Sequence, residues 1–251
     1  MRFQSLLAFF AALQCILVLS LPGVAVADGN SDEQPGISGP VPAFKQRSKA
    51  TRLKENVYVN IRYPVFGIAF LDKAVREQVD GFIKGNDIAS FPPKDEDGEL
   101  TPCELVLGYD LYASKPGILS IAFSDWVYTG GTHGHPGYQA FTYNLHSKKR
   151  LRLKDVFPHW DPAREKLVPL LKDFIESEDT NCPSLEPADR MISPDATNFY
   201  LDSNGLTLAY SMGYAPPPEW LCSSISLDRE TLEELGADMR YWEERQETAR
   251  P

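Results

Sequence analysis

His133 and His135 form a His-x-His pair. In an extended strand, residues two apart point to one side, so both imidazoles could hold one zinc or copper ion. A third ligand could come from Asp125 or His159. Gly130, Gly131, Gly134 and Pro136 surround the pair, however, and that composition is equally that of a turn set by backbone geometry. On the turn reading His133 hydrogen-bonds the adjoining loop, and no metal or other cofactor is called for.

Other reactive types lack a pattern. Ser211 and Ser223 have no Gly-x-Ser-x-Gly elbow around them. The 35 acidic residues would supply a carboxylate pair for glycoside cleavage almost anywhere, which makes no particular pair stand out. Asp95, Asp97 and Glu99 alternate like the opening of a calcium loop, but the glutamate that closes a twelve-residue loop is missing. Aromatic side chains are more informative: Tyr109, Tyr112, Trp126, Tyr128, Tyr138, Tyr214 and Trp220 include several that alternate onto the strand face opposite the aliphatic one. There the rings could stack on sugars or anchor a protein partner, or they could simply lie under a helix. The basic run Lys148, Lys149, Arg150, Arg152 and Lys154 reads as a solvated hairpin tip.

Strands must position these groups. Val57, Val59, Ile61 and Tyr63 alternate with polar residues until Pro64, and the same two-residue period runs through Leu105 to Leu111, Leu119 to Val127, and Phe141 to Leu145. Leu71, Val75, Val79, Phe82 and Ile83 mark one helix face that stops at Gly85. A second helix is expected over 163–176, with Pro169 kinking it or marking a late start. The Asp202-Ser203-Asn204-Gly205 step reads as a hairpin between 199–201 and 206–210, and Asp228 reads as the N-cap of a last helix carrying Leu232, Leu235 and Met239 inward. Strands in consecutive runs outnumber helices, so the expected class is α+β: a largely antiparallel sheet with two or three helices packed on one face.

Export follows from the first 27 residues. Arg2, the apolar run from Leu6 to Leu19 and Ala25-Val26-Ala27 compose a signal peptide with cleavage expected before Asp28. Residues 28–50, rich in Gly, Pro, Ser and charge, read as a flexible linker. The chain is therefore expected in the periplasm or secreted, with no membrane span after cleavage. Three cysteines remain, Cys103, Cys182 and Cys222, which leave three pairings open; Cys182 with Cys222 is the expected disulfide because both lie in Pro-rich loop sequence. A formal net charge of -10 argues against a nucleic-acid partner and suits a cationic one.

Three stretches carry a resemblance to a known family. Asn60-Ile61-Arg62-Tyr63-Pro64 with the following helix, Tyr128-Thr129-Gly130-Gly131-Thr132-His133 with Tyr143-Asn144-Leu145 through Phe157, and Asn198-Phe199-Tyr200-Leu201 with Gly205-Leu206 resemble the extracytoplasmic region shared by RsiV-type anti-sigma factors and PdaC-type peptidoglycan deacetylases. The resemblance implies a PdaC-like subdomain over 51–132 and an RsiV-like one over 133–251. It also implies a non-catalytic binding module, since RsiV-type regions bind lysozyme. The sequence carries neither an anti-sigma segment nor a deacetylase domain after Pro251, so neither activity is expected of it. The expected ligand is a lysozyme-type hydrolase or peptidoglycan, held by Trp126, Tyr128, Thr129, His133, His135 and Tyr138. The other reading is an envelope carbohydrate hydrolase or deacetylase using a metal on His133 and His135.

Overall fold

The computed structural model describes residues 35–54, 56–86, 102–130, 134–176, 192–196, 198–209 and 224–243. In chain order these hold β1 (Ile37–Ser38), β2 (Lys45–Lys54), β3 (Val57–Val65), α1 (Ala69–Gly85), β4 (Cys103–Lys115), β5 (Ile118–Tyr128), β6 (His135–Asn144) and β7 (Lys149–Arg150). There follow α2 (Leu153–Val156), α3 (Trp160–Glu176), β8 (Phe199–Leu201), β9 (Gly205–Ala209), β10 (Ser224–Asp228), α4 (Arg229–Glu234) and a 3-10 turn, Met239–Tyr241. The expected α+β class holds.

A seven-stranded sheet runs in the order β2-β3-β4-β5-β6-β7, with β1 beside β4. Most pairs are antiparallel, but β3 and β1 both lie parallel to β4, so the sheet is mixed. Pairing of β3 with β4 ends at Ile61 and Leu107, and β1 takes over at Leu111 and Tyr112. That early ending explains why Pro64, expected to stop the strand, sits inside β3: by then β3 has only β2 as a partner, so one missing N–H is tolerated.

The period-two pattern sorts the side chains onto two faces. Val57, Val59, Ile61, Leu105, Leu107, Leu119, Ile121 and Phe123 point to one side, where Leu71, Val75 and Val79 of α1 close over them. Burying each such side chain stabilises the fold by about 1.5–3 kcal/mol. Helix α1 lacks a side-chain N-cap; instead the buried Asp72 reaches back and accepts from the backbone N–H groups of Phe66 and Gly67 at 2.7 and 3.0 Å, ordering the turn before the helix.

On the other side of the sheet lies a second core. Ile118 contributes to it from β5, together with Leu153, Phe157, Leu167, Leu171, Phe199, Leu206, Ile225, Leu232 and Trp242. Here β8, β9 and β10 form a separate antiparallel sheet that the sequence pattern does not separate from the first. The helices thus divide between the two faces, α1 on one and α3 and α4 on the other, where the expectation was a single covered face. Helix α3 begins at Trp160, ahead of the expected 163, and carries the exposed Pro169 inside it.

Buried hydroxyls join the two sheets. Ser120 Oγ and Thr142 Oγ1 lie 2.9 Å apart with no solvent exposure. Leu201 N–H donates to Ser120 at 2.9 Å, and Thr142 donates to Phe199 C=O at 2.9 Å. Strand β8 is an edge of its own sheet, so these side chains satisfy backbone groups that would otherwise be orphaned. Asn198 adds to this seam by accepting from Ala140 N–H at 2.6 Å.

At the expected hairpin, Asp202 Oδ1 accepts from Asn204 N–H and Gly205 N–H. Trp242, 5% exposed, then donates its indole N–H to Asp202 C=O at 2.9 Å. Asp228 caps α4 through Thr231 N–H, as the sequence suggests.

Two boundaries need correction. The segment expected as a flexible linker over 28–50 carries β1 and most of β2, and β2 escapes detection because its residues alternate no apolar side. The division at 132/133 also has no counterpart in packing: β5 and β6 pair from Ile118–Asn144 to Val127–His135, and Phe141 and Tyr143 belong to the same core as Val57 and Leu105. Residues 1–27, Cys182 and Cys222 lie outside the described residues, as does the acidic stretch 92–99; Cys103 is buried at the head of β4. Among the described residues no helix is long and apolar enough to cross a membrane.

Candidate binding face

Even-numbered residues of β4, β5 and β6 point away from α1 and stand in rows across the strands. Cross-strand register gives Val106, Trp126 and Pro136 in one row; Gly108, Ser124 and Tyr138 in the next; Asp110, Ala122 and Ala140 in a third; and Tyr112, Ser120 and Thr142 in a fourth. Ala122 and Ala140 are buried beneath Tyr112, Tyr138 and Tyr200, because two methyl side chains leave room for three rings above them. Tyr200 reaches in from β8 and stacks on Tyr112, with centroids 4.2 Å apart and ring planes 15° from parallel. The hydroxyls of Tyr112 and Tyr138 share a hydrogen bond.

Burial first, then Asp110 and Tyr200, push the Tyr112 phenol up to about 12; burial and Tyr112 push Tyr138 further still. Both rings stay neutral hydrogen-bonding groups at any physiological pH. The cluster therefore offers flat apolar area with fixed polar tips, bordered by Asp110 on one side and by the Arg62 guanidinium, which lies over Gly108 and Ser124, on the other. Gly36 N–H donates to Asp110 at 2.7 Å, fixing that carboxylate and tying down β1.

Trp126 is half-buried with Gly134 against its indole: a Cβ at residue 134 would lie 2.3 Å from a ring carbon. The glycine expected only as a turn former is thus also the close neighbour that lets the indole lie flat. Thr129 and Gly130, with its φ of 94°, begin the turn. Tyr128 shares the even-numbered face with Trp126 and Tyr138, so three of the expected ligand-binding residues come together.

His135 does not join them. It pairs across the strands with Val127, whose side chain packs into the core under α1, and so points to the opposite side. Asp125 lies on that side too, diagonal to His135. His159 precedes α3 in the other half of the fold. His133 lies outside the described residues, and among the described residues no three His, Cys, Asp or Glu side chains gather as a metal site. Tyr109 likewise belongs to the core under α1, where it donates to Gln46 at 3.1 Å, and Tyr214 and Trp220 lie outside the described residues. Sequence reasoning missed Tyr200, Asp110 and Arg62. The alternation that singles out Tyr112 would also have placed Asp110 and Arg62; Tyr200 arrives only through the crossing of β8 over β5 and β6.

Burial pushes Asp125 up from its ordinary 3.8 to about 6. It lies against Gly137, where any Cβ would come within 2.4 Å of the carboxylate. Because the folded chain holds this proton between pH 3.8 and 6 while the unfolded chain releases it, stability falls as pH rises through that window. Asp125→Asn removes the loss. Discounted for the partial exposure of the group, the variant is expected to be about 1–2 kcal/mol more stable than the parent at pH 7.5, with the gap closing below pH 4. Urea titrations at the two pH values check this, and equal stability at pH 7.5 would contradict it.

The fold and face together define an α+β module built on a seven-stranded mixed sheet, with one broad aromatic side. Among solved structures the chain is similar to a DUF3298 family protein from Pseudomonas aeruginosa, with a TM-score of 0.52 over 83% of this chain and 99% of that one at 19% identity. A DUF3298 family member from Bacteroides fragilis aligns over 76% of this chain and 93% of its own, at 18% identity and a TM-score of 0.41. The first likeness establishes a shared fold. No family model matches the sequence, and no curated protein does.

Proposed function

We infer that this is an exported, non-catalytic binding protein whose ligand is a lysozyme-type cell-wall hydrolase or the peptidoglycan such an enzyme attacks. The observation that carries the reading is the aromatic face: Trp126, Tyr138, Tyr112 and Tyr200 present rings on a rigid sheet, beside the fixed charges of Asp110 and Arg62. Rings held this way lose little conformational entropy on binding and suit either a sugar ring or a protein hot spot. A net charge of -10 steers a basic hydrolase toward the protein. The resemblance to RsiV-type regions supports the same ligand class.

Calorimetric titration of the mature protein, residues 28–251, with hen-type lysozyme and with a peptidoglycan oligosaccharide tests the reading. Binding to one of them, weakened by salt in the lysozyme case, is expected, and Trp126→Ala or Tyr138→Ala should cut affinity tenfold or more. No heat with either ligand would overturn the reading. Unchanged affinity in both variants would remove the aromatic face from it.

A further inference from the structure

Strand β2 is an edge of the large sheet: among the described residues its only strand partner is β3. Its sequence, KQRSKATRLK, holds five of the chain's 25 lysines and arginines and no acid, in a protein whose net charge is -10. Lys45, Arg47 and Lys49 stand opposite Val65, Tyr63 and Ile61 and therefore share one side of the strand. All three are exposed, and none pairs with a carboxylate among the described residues. The register shift between Arg52 and Lys54 ends the regular stretch, leaving Lys45 to Thr51 as straight edge.

We propose that the β2 edge binds an extended acidic peptide segment of a partner protein by strand addition. An edge strand offers a row of backbone N–H and C=O groups to an added strand. The three cations repeat every two residues, about 6.6 Å apart along the strand. A peptide strand with acids at alternate positions has that same repeat by construction, so every carboxylate meets a cation on one side of the augmented sheet. A glycan or lipid surface shares no such register with β2. The same cations repel a second copy of β2, closing the edge to self-pairing while leaving it open to the opposite charge. This surface is separate from the aromatic face and favours the opposite sign of partner.

The probe is a short, end-blocked peptide with glutamate at alternate positions and threonine or valine between, followed by fluorescence anisotropy on the full mature protein. The parent is expected to bind it, and to bind an isomer with its glutamates contiguous at least tenfold more weakly. The variant carrying Lys45→Glu, Arg47→Glu and Lys49→Glu should lose tenfold or more. N-methylating one alternate set of peptide amides should abolish binding, while methylating the other set leaves it intact, because only one set faces β2. This comparison uses the parent protein and stands even if the triple variant fails to fold. Equal binding of the two isomers, or indifference to both methylation patterns, would overturn strand addition. Equal or tighter capture by a sulfated oligosaccharide or by vesicles rich in anionic phospholipid would do the same.

Discussion

Thr142→Val is expected to lower the midpoint of thermal unfolding by about 2–12 °C. The substitution keeps the shape of the side chain and removes only the hydroxyl. Its loss leaves Phe199 C=O without a donor and breaks the 2.9 Å contact with Ser120 Oγ, in a seam with no access to water. A buried polar group left unsatisfied costs about 1–3 kcal/mol, and in a domain of this size each kcal/mol shifts the midpoint by about 2–4 °C. Ser120→Ala attacks the same seam by orphaning Leu201 N–H. Because the two hydroxyls share a bond, the double variant should lose less than the sum of the singles. Calorimetric scans of the three variants check this, and a shift under about 1 °C for Thr142→Val would show that β8 is held by apolar packing alone.

Trp242→Ala should cost still more, about 3–5 kcal/mol. The ring is buried among Leu206, Leu232 and Phe157 in the second core, and its N–H holds the turn between β8 and β9. Trp242→Phe separates the contributions: it retains most of the apolar contact and should cost about 1–2 kcal/mol. Denaturant titrations of both variants measure the difference. If alanine and phenylalanine were equally harmful, the indole N–H bond to Asp202 C=O would dominate. If both were mild, the chain beyond α4 would not belong to the cooperative unit.

Much of this architecture is legible in the residues. Val57, Val59 and Ile61 alternate because one side of β3 meets α1, and Leu71, Val75 and Val79 recur at helical spacing for the reciprocal reason. Asp202 and Asn204 betray the hairpin through side-chain chemistry that is local in sequence. By contrast, β2 is invisible to periodicity: solvent meets both of its sides, so no apolar pattern is needed, and it is a strand because β3 offers it hydrogen bonds. Ser120 and Thr142 look like surface residues until β8 crosses over them. The candidate face is split in the same way. Trp126, Tyr128 and Tyr138 follow from strand alternation, whereas His135 falls on the other side because it pairs with Val127, a register that composition alone does not specify.

From Ile118 to Phe123 every residue of β5 is buried, with Ile118 serving one core while Leu119, Ile121 and Phe123 serve the other. Successive codons of this stretch therefore answer to different selective demands. A point change here is judged by one core only. A single-codon insertion or deletion would turn each later side chain through the sheet, sending core-forming residues to the aromatic side and tyrosine-bearing positions under α1. Evolution of this segment is thus confined to substitution, and changes of length fall instead in the turns at 116–117 and 145–148, outside the paired strands.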